Sequence, residues 1–413
     1  MQLWSRQDGH FFALDGLRAI AALLIVAFHS ALFTATLVPS SIAGLPPSLL
    51  RLFLGCWVGV DIFFVLSGFL IGRILFVQLQ RGAISFKAFY IRRTFRIFPA
   101  YYVVITVAVL FLTRMPIFQR LYQGLPWHTL LWRSWANYLY ISNYLYGVGE
   151  RVTNTMSWGW SLCIEEHFYI FLPALLTLLF RAKHQSVRLP VLGILMLLPL
   201  VARIVAFRAD PHTLVYPQIY PWSHTHCDGL LVGVLIAYGH VYHGVGFARL
   251  VSRLGPLPWV VGLCCLTAVF KWGGLWTPGV FAIVFQFLIL AIGAGSLLIN
   301  GIFLNNWVTR VLSHPAWCPF ARLSYGIYLI HAFVLCVLLR WWPTRVNLEA
   351  ATSIASLLGF FISLAALSTL AAVVLFFAVE RPMLMRGASL SRRFLPKAEA
   401  VEPVVQPRRQ ALA

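Results

Sequence analysis

Residues 12–33 read FALDGLRAIAALLIVAFHSALF, an apolar run that carries Asp15, Arg18 and His29 within it. A helix needs ~20 apolar residues to cross a hydrocarbon core, so this stretch is long enough to span. No small-residue cleavage site follows it, which excludes a removable signal peptide. Nine further runs fit the same pattern, at 53–72, 98–113, 158–180, 188–207, 224–241, 257–272, 276–299, 322–342 and 352–379. The composition agrees, with 60% of the 413 residues hydrophobic and 11% charged, against about 45–50% and about 25% in soluble domains. A water-soluble enzyme is excluded. The fold class predicted is all-α, a polytopic membrane bundle of about ten transmembrane helices.

The formal net charge of +20 does not point to nucleic acid, because the basic residues sit in the gaps between apolar runs and not on one soluble face. That distribution follows the positive-inside rule. With both termini cytoplasmic and the Trp/Tyr-rich segment 125–146 not crossing, 22 of the 32 Lys and Arg fall on the inner side and nine on the outer. A crossing by 125–146 would put the seven basic residues of the C-terminal stretch outside. The segment is therefore read as an interfacial aromatic anchor. The domains that follow are a short cytoplasmic N-terminus at 1–11, a membrane domain at 12–383 and a basic cytoplasmic tail at 384–413. Pro, charge and missing periodicity make that tail disordered, and its charge suits contact with anionic lipid. Nothing after residue 383 reads as a further folded domain. The seven cysteines include no CxxC pair and read as small buried apolar residues.

Ionisable groups inside membrane spans are paired, hydrated or functional, since isolated charge is too costly there. Eleven residues separate Arg18 from His29, close to three helical turns, so the two share a face ~16 Å apart. Asp15 stands three residues before Arg18, within pairing reach. Asp61 falls ~12 Å and Glu165 ~10 Å from the outer ends of their spans, in one layer with His29. Glu166 points ~100° away from Glu165 and is assigned to packing or to an outer-side hydrogen bond. Arg18, Arg73, Arg92, Arg93 and Arg96 gather at the opposite, cytoplasmic end. Arginine forks suit phosphates, and a histidine with carboxylates suits removal of a hydroxyl proton. Together they describe transfer from a phosphorylated cytosolic donor to an acceptor reached from the membrane or beyond. His29 is the expected base, oriented by Glu165 or Asp61, with Arg18, Arg73, Arg93 and Arg96 for the donor. The same charges also allow a proton-coupled transporter or flippase, although no internal repeat is visible. The pairs His224/His226 and His240/His243 lack a second ligand set, so no metal site is expected. His331 reads equally as a structural hydrogen bond between helices or as part of the chemistry.

Seven ordered pieces carry a resemblance. They are LDGLRA with Arg18-x10-His29, GVDIFFVLSGFLI (59–71), RRTFRIFPAYY (92–102), WSLCIEEHFY (160–169), CDGLLVG (227–233), LSYGIYLIH (323–331) and VERP (379–382). Together they resemble the membrane acyltransferase-3 family over roughly residues 11–383. The resemblance implies about ten membrane helices in the bacterial inner membrane and O-acylation of a carbohydrate or glycolipid. It implies acyl-coenzyme A, acetyl by family frequency, as co-substrate, and no permanently bound cofactor. It places the family's glutamate at Glu165 and supporting roles on Asp15, Ser67, Trp160, Ser161 and Tyr169. Members often carry a fused esterase-like domain, and without one direct transfer within the membrane domain is expected. One departure stands at 226–227, where His226 and Cys227 replace the basic residue that commonly precedes an FDGL-like element.

Overall fold

The computed structural model describes residues 11–37, 45–82, 84–115, 126–145, 156–181, 185–345 and 354–395. Among the described residues, fourteen helices of eight residues or more build the bundle. They are α1 (Phe12–Leu37), α2 (Pro47–Gly55), α3 (Gly59–Gln80), α4 (Phe86–Phe111), α5 (Trp160–Arg181), α6 (Arg188–Leu195) and α7 (Leu197–Ala209). The second half adds α8 (Asp228–Tyr242), α9 (Gly244–Leu254), α10 (Leu257–Trp272), α11 (Gln286–Phe303), α12 (Trp317–Arg345), α13 (Ile354–Leu375) and α14 (Arg381–Arg392). No strand occurs among the described residues.

Each of the ten predicted spans coincides with a helix or helix pair, and eight of them lie in helices long and apolar enough to cross a membrane. The other two are shorter. The run at 224–241 becomes helical only at Asp228, giving 15 residues that bend by 114° into α9. The run at 257–272 forms a 16-residue helix. At 1.5 Å per residue α8 reaches ~22 Å, less than a ~30 Å core, and it is preceded by turns over 219–227 whose Tyr220, Thr225 and His226 are buried. Of the segment 125–146, residues 126–145 are described, and they hold two short helices, Trp127–Arg133 and Trp135–Tyr138, and a 3₁₀ turn. None can cross. Its Trp132 ring is 75% exposed, while the backbone is pinned to α4 by Tyr101, whose hydroxyl donates to Asn137 O at 2.9 Å, and by Tyr102, which donates to Tyr138 O at 3.1 Å.

The tightest crossing joins α3 to α8, the most extensively contacting helix pair. Gly68 and Gly72 stand one turn apart on α3, and Gly229 and Gly233 do so on α8. A Cβ on Gly68 would lie 2.0 Å from Leu230 O, and one on Gly233 would lie 2.3 Å from Val65 O. Without a hydrophobic driving force inside lipid, helices associate by close packing, which small residues permit. These glycines let the two backbones touch. Arg203 of α7 completes the brace, with 0% exposure. Its fork meets Asp228 at the start of α8 at 2.7 and 2.9 Å, and it also donates to Thr225 O at 2.6 Å and Val284 O at 2.9 Å. Val284 lies in a π-helical turn, Phe281–Phe285, just ahead of α11. A wide turn of this kind frees carbonyls from the regular ladder, and one of them receives the buried guanidinium.

A second π turn, Phe376–Glu380, joins α13 to α14. Here the tail reading is corrected. Leu384–Arg392 is helical and packs on α4, where the sequence places disorder. Short amphipathic segments lack a lipid-length apolar run, so composition hides them; the contacts that hold α14 come from α4. A Cβ on Gly387 would fall 2.5 Å from Phe95 Cβ, Ser391 accepts from Arg92 Nε at 2.9 Å, and Ser85 Oγ donates to Phe394 O at 2.7 Å. Residues 396–413 and 1–10 lie outside the described residues.

Candidate active site

Between α1, α3, α4, α5, α12 and the second π turn lies a cavity of about 290 Å³. Four arginines, Arg18, Arg93, Arg96 and Arg322, and three carboxylates, Asp15, Glu165 and Glu380, line it. The sequence expectation of Arg18, Arg93 and Arg96 in one column therefore matches their placement. Ser67, Ser161 and Tyr169 line the same walls. Five helices and the second π turn bring these polar groups together.

The polar lining is chained by hydrogen bonds. Tyr169 donates its hydroxyl proton to Glu165 Oε2 at 3.0 Å, so in its hydrogen bond with the Tyr169 hydroxyl Ser67 is the donor. The Arg93 guanidinium stacks 4.9 Å over the Tyr169 ring, a cation–π contact strengthened by burial. Tyr325 donates to Ile97 O at 2.8 Å and ties α12 to the arginine-bearing part of α4. Tyr328 donates to Trp158 O at 2.5 Å, which makes Ser161 the donor in their 2.6 Å contact. The Arg18 Nε is buried and makes no hydrogen bond. An unsatisfied buried guanidinium donor is costly, and in a cavity of this polarity an anion would satisfy it.

His29 stands one turn beyond this lining. The cavity reaches Ile25 and Tyr328 but not His29 itself, so it ends a turn short of the expected base. The imidazole is half-buried. Its Nδ1 lies 3.0 Å from Ile25 O and 3.1 Å from Nε2 of His331, a residue with 0% exposure on α12. His331 Nδ1 in turn faces Tyr328 O at 2.7 Å.

Three expectations are corrected. Asp61 is not beside His29: its Oδ1 pairs with His226 Nε2 at 2.7 Å, both groups fully buried, and His226 Nδ1 donates to Tyr220 O at 2.7 Å. Trp160 stacks on His226 with ring centroids 5.6 Å apart and does not line the cavity. The supporting contact it makes is thus to the Asp61–His226 pair. Arg73 also stands apart, with its guanidinium 5.2 Å over the Phe11 ring. Orientation of His29 by Glu165 or Asp61 is replaced by orientation through His331 and the Ile25 carbonyl. Sequence reasoning gave no site role to Arg322 and Glu380, whereas His331 makes the hydrogen bond between helices that was one of its two readings. The signal for Arg322 was present, since Arg322, Tyr325 and Tyr328 recur every third residue along the LSYGIYLIH helix and continue to His331.

The profile of the acyltransferase-3 family, described as an acyltransferase domain, matches residues 11–377. The chain is 30% identical over 238 residues to the peptidoglycan O-acetyltransferase OatA of Listeria monocytogenes, which covers 55% of this chain and 33% of the relative. It is 27% identical over 354 residues to the putative O-acetyltransferase SACOL0978 of Staphylococcus aureus, covering 78% of this chain and 50% of the relative. The putative peptidoglycan O-acetyltransferase YrhL of Bacillus subtilis is 27% identical over 336 residues, covering 77% and 47%. The chain thus spans between a third and a half of the length of these relatives. No solved structure matches it.

Proposed function

The chain belongs to the acyltransferase-3 family, and from that premise we propose that it is an integral membrane O-acyltransferase. It moves an acyl group, acetyl first, from cytosolic acyl-coenzyme A to a hydroxyl of a cell-envelope carbohydrate or glycolipid. The bacterial cytoplasmic membrane, with both termini inside, is the setting that its charge distribution favours. Peptidoglycan is the first acceptor to test, because two of the relatives are named for it.

The observation that carries the proposal is the cavity lined by four arginines whose inner end comes within one helical turn of His29. Arginine binds phosphate oxygens through its fork, so Arg18, Arg93, Arg96 and Arg322 are assigned to the donor's phosphates. Glu165 and Glu380 stand in the same lining and offset part of this positive charge. A volume of about 290 Å³ is at the lower limit of small-molecule pockets. It suits a slender thioester arm, with the nucleotide kept at the mouth. The arm passes Ile25 to bring its carbonyl near His29. His29 takes the proton of the acceptor hydroxyl as that oxygen bonds to the thioester carbonyl carbon. The carbon–sulfur bond then breaks, and the departing thiolate receives the proton back from His29.

The test uses purified protein in nanodiscs with radiolabelled acetyl-coenzyme A and isolated peptidoglycan glycan, without any ion gradient. Label is expected in the glycan as ester, and His29→Ala is expected to reduce it to background while the protein still folds. Wild-type rates in His29→Ala would remove His29 from the chemistry. Solute movement without ester formation on any envelope carbohydrate would favour the transporter.

A further inference from the structure

The contacts around His331 determine where the protons sit on two histidines. His331 Nδ1 lies 2.7 Å from the carbonyl oxygen of Tyr328. A carbonyl only accepts, so Nδ1 carries the proton. His331 has 0% exposure, and no carboxylate among the described residues is bonded to it, so the ring is neutral and its Nε2 is a bare lone pair. That lone pair points at His29 Nδ1, 3.1 Å away, and Nδ1 also lies 3.0 Å from the Ile25 carbonyl. Two acceptors converge on one nitrogen. His29 Nδ1 must be the protonated one, sharing its hydrogen between them, and the tautomer of a histidine is set by the bond its other nitrogen makes.

We propose that His331 is a positioning residue that locks His29 in the tautomer whose Nε2 is unprotonated and free to accept a proton from the acceptor hydroxyl. The inference rests on the reading of His29 as the base. It gives the Tyr328 carbonyl, His331 and His29 the order of a relay that orients without itself exchanging protons. The ring planes are tilted by 52° with centroids 4.8 Å apart, so the contact is an edge-directed hydrogen bond and not a stack. Trp158 packs 6.4 Å from His331 and donates its indole N–H to Leu329 O at 3.2 Å, which holds this part of α12 against the entrance to α5. His331 therefore has little freedom to turn its ring over.

Two conservative variants separate this role from a purely structural one, and they do so with opposite rank orders. In His331→Gln the amide oxygen falls near the position of Nε2 and accepts from His29, while the bond to Tyr328 O is lost. In His331→Asn the amide nitrogen reproduces the bond to Tyr328 O, but nothing reaches His29. Positioning predicts that Gln stays within about tenfold of the wild-type kcat, while Asn falls by on the order of 10²-fold or more, as bases held in the wrong tautomer do. The KM for acetyl-coenzyme A should change in neither. Asn equal to or above Gln overturns the proposal. A readout independent of turnover, and available should either variant fail to fold, is the ¹⁵N spectrum of histidine-labelled wild-type protein in nanodiscs. A protonated Nδ1 and bare Nε2 on His29 are expected, and the opposite tautomer overturns the proposal whatever the variants do. Should His29→Ala keep its activity while the ¹⁵N signature stands, the base reading fails and the His331 contact survives it.

Discussion

A single methyl group on α3 is expected to do more damage than its size suggests. In Gly68→Ala the new Cβ would sit 2.0 Å from Leu230 O and 2.7 Å from the Leu230 carbonyl carbon, where ordinary contact begins at 3.4 Å. The neighbour is backbone in the middle of α8, so it cannot swing aside, and the helices must part by about 1.4 Å at that point. Asp61 lies seven residues earlier on the same stripe of α3, two turns up. Its 2.7 Å bond to His226 would lengthen to ~4.1 Å if α3 moved as a rigid body, beyond hydrogen-bond range. Overpacking costs ~1–3 kcal/mol, and a buried polar group left unsatisfied costs ~1–3 kcal/mol more. Together they amount to about 2–6 kcal/mol, a fall in melting midpoint on the order of 10 °C. Thermal unfolding of purified protein, followed by intrinsic tryptophan fluorescence, measures it. Gly246→Ala is the control, because a Cβ there meets nothing within 4 Å. If Gly68→Ala melts with Gly246→Ala and transfers acyl groups at the same rate, the close backbone contact between α3 and α8 does not carry the stability assigned to it.

Two more perturbations address the other polar contacts. Arg203→Lys keeps the charge but loses the fork shared among Asp228, Thr225 O and Val284 O, so destabilisation by ~3–5 kcal/mol is expected. Replacing the pair together by Arg203→Met with Asp228→Leu should recover most of it in the same melting experiment. Tyr169→Phe removes the link between Ser67 and Glu165 and is expected to cost ~1 kcal/mol per lost hydrogen bond. Isothermal titration with coenzyme A should then show weaker binding by about fivefold to thirtyfold, and unchanged affinity would detach Glu165 from donor binding.

The spans were legible because a lipid core imposes one length on every apolar run, and each run in this chain is interrupted by the loops that must leave the bilayer. The shared face of Arg18 and His29 was legible because helical phase is a local property. Partners distant in sequence were not. His331 lies 302 positions from His29, and His226 lies 165 from Asp61; periodicity within one helix carries no information about which helix stands opposite. Asp61 was therefore assigned to the layer of His29 from its depth alone, and depth does not give azimuth. Arg73 failed for the same reason, since its guanidinium turns toward Phe11. The glycine pairs 68/72 and 229/233 are visible in the sequence, but that they face each other is a property of the bundle. The helix at 381–392 was missed because its stability comes from α4, which composition does not encode.

The last helical span runs unbroken for 39 residues, Ile354–Arg392. At ~1.5 Å per residue this is ~58 Å, nearly twice the ~30 Å thickness of membrane hydrocarbon. Part of it must stand clear of the lipid like a mast, with α4 as its stay. The foot of that mast is the turn whose Phe376 and Glu380, followed by Leu384, form part of the cavity wall. A load attached beyond Arg392 would therefore be shared between α4, which grips this end through Arg92 and Ser85, and the wide turn that meets the pocket.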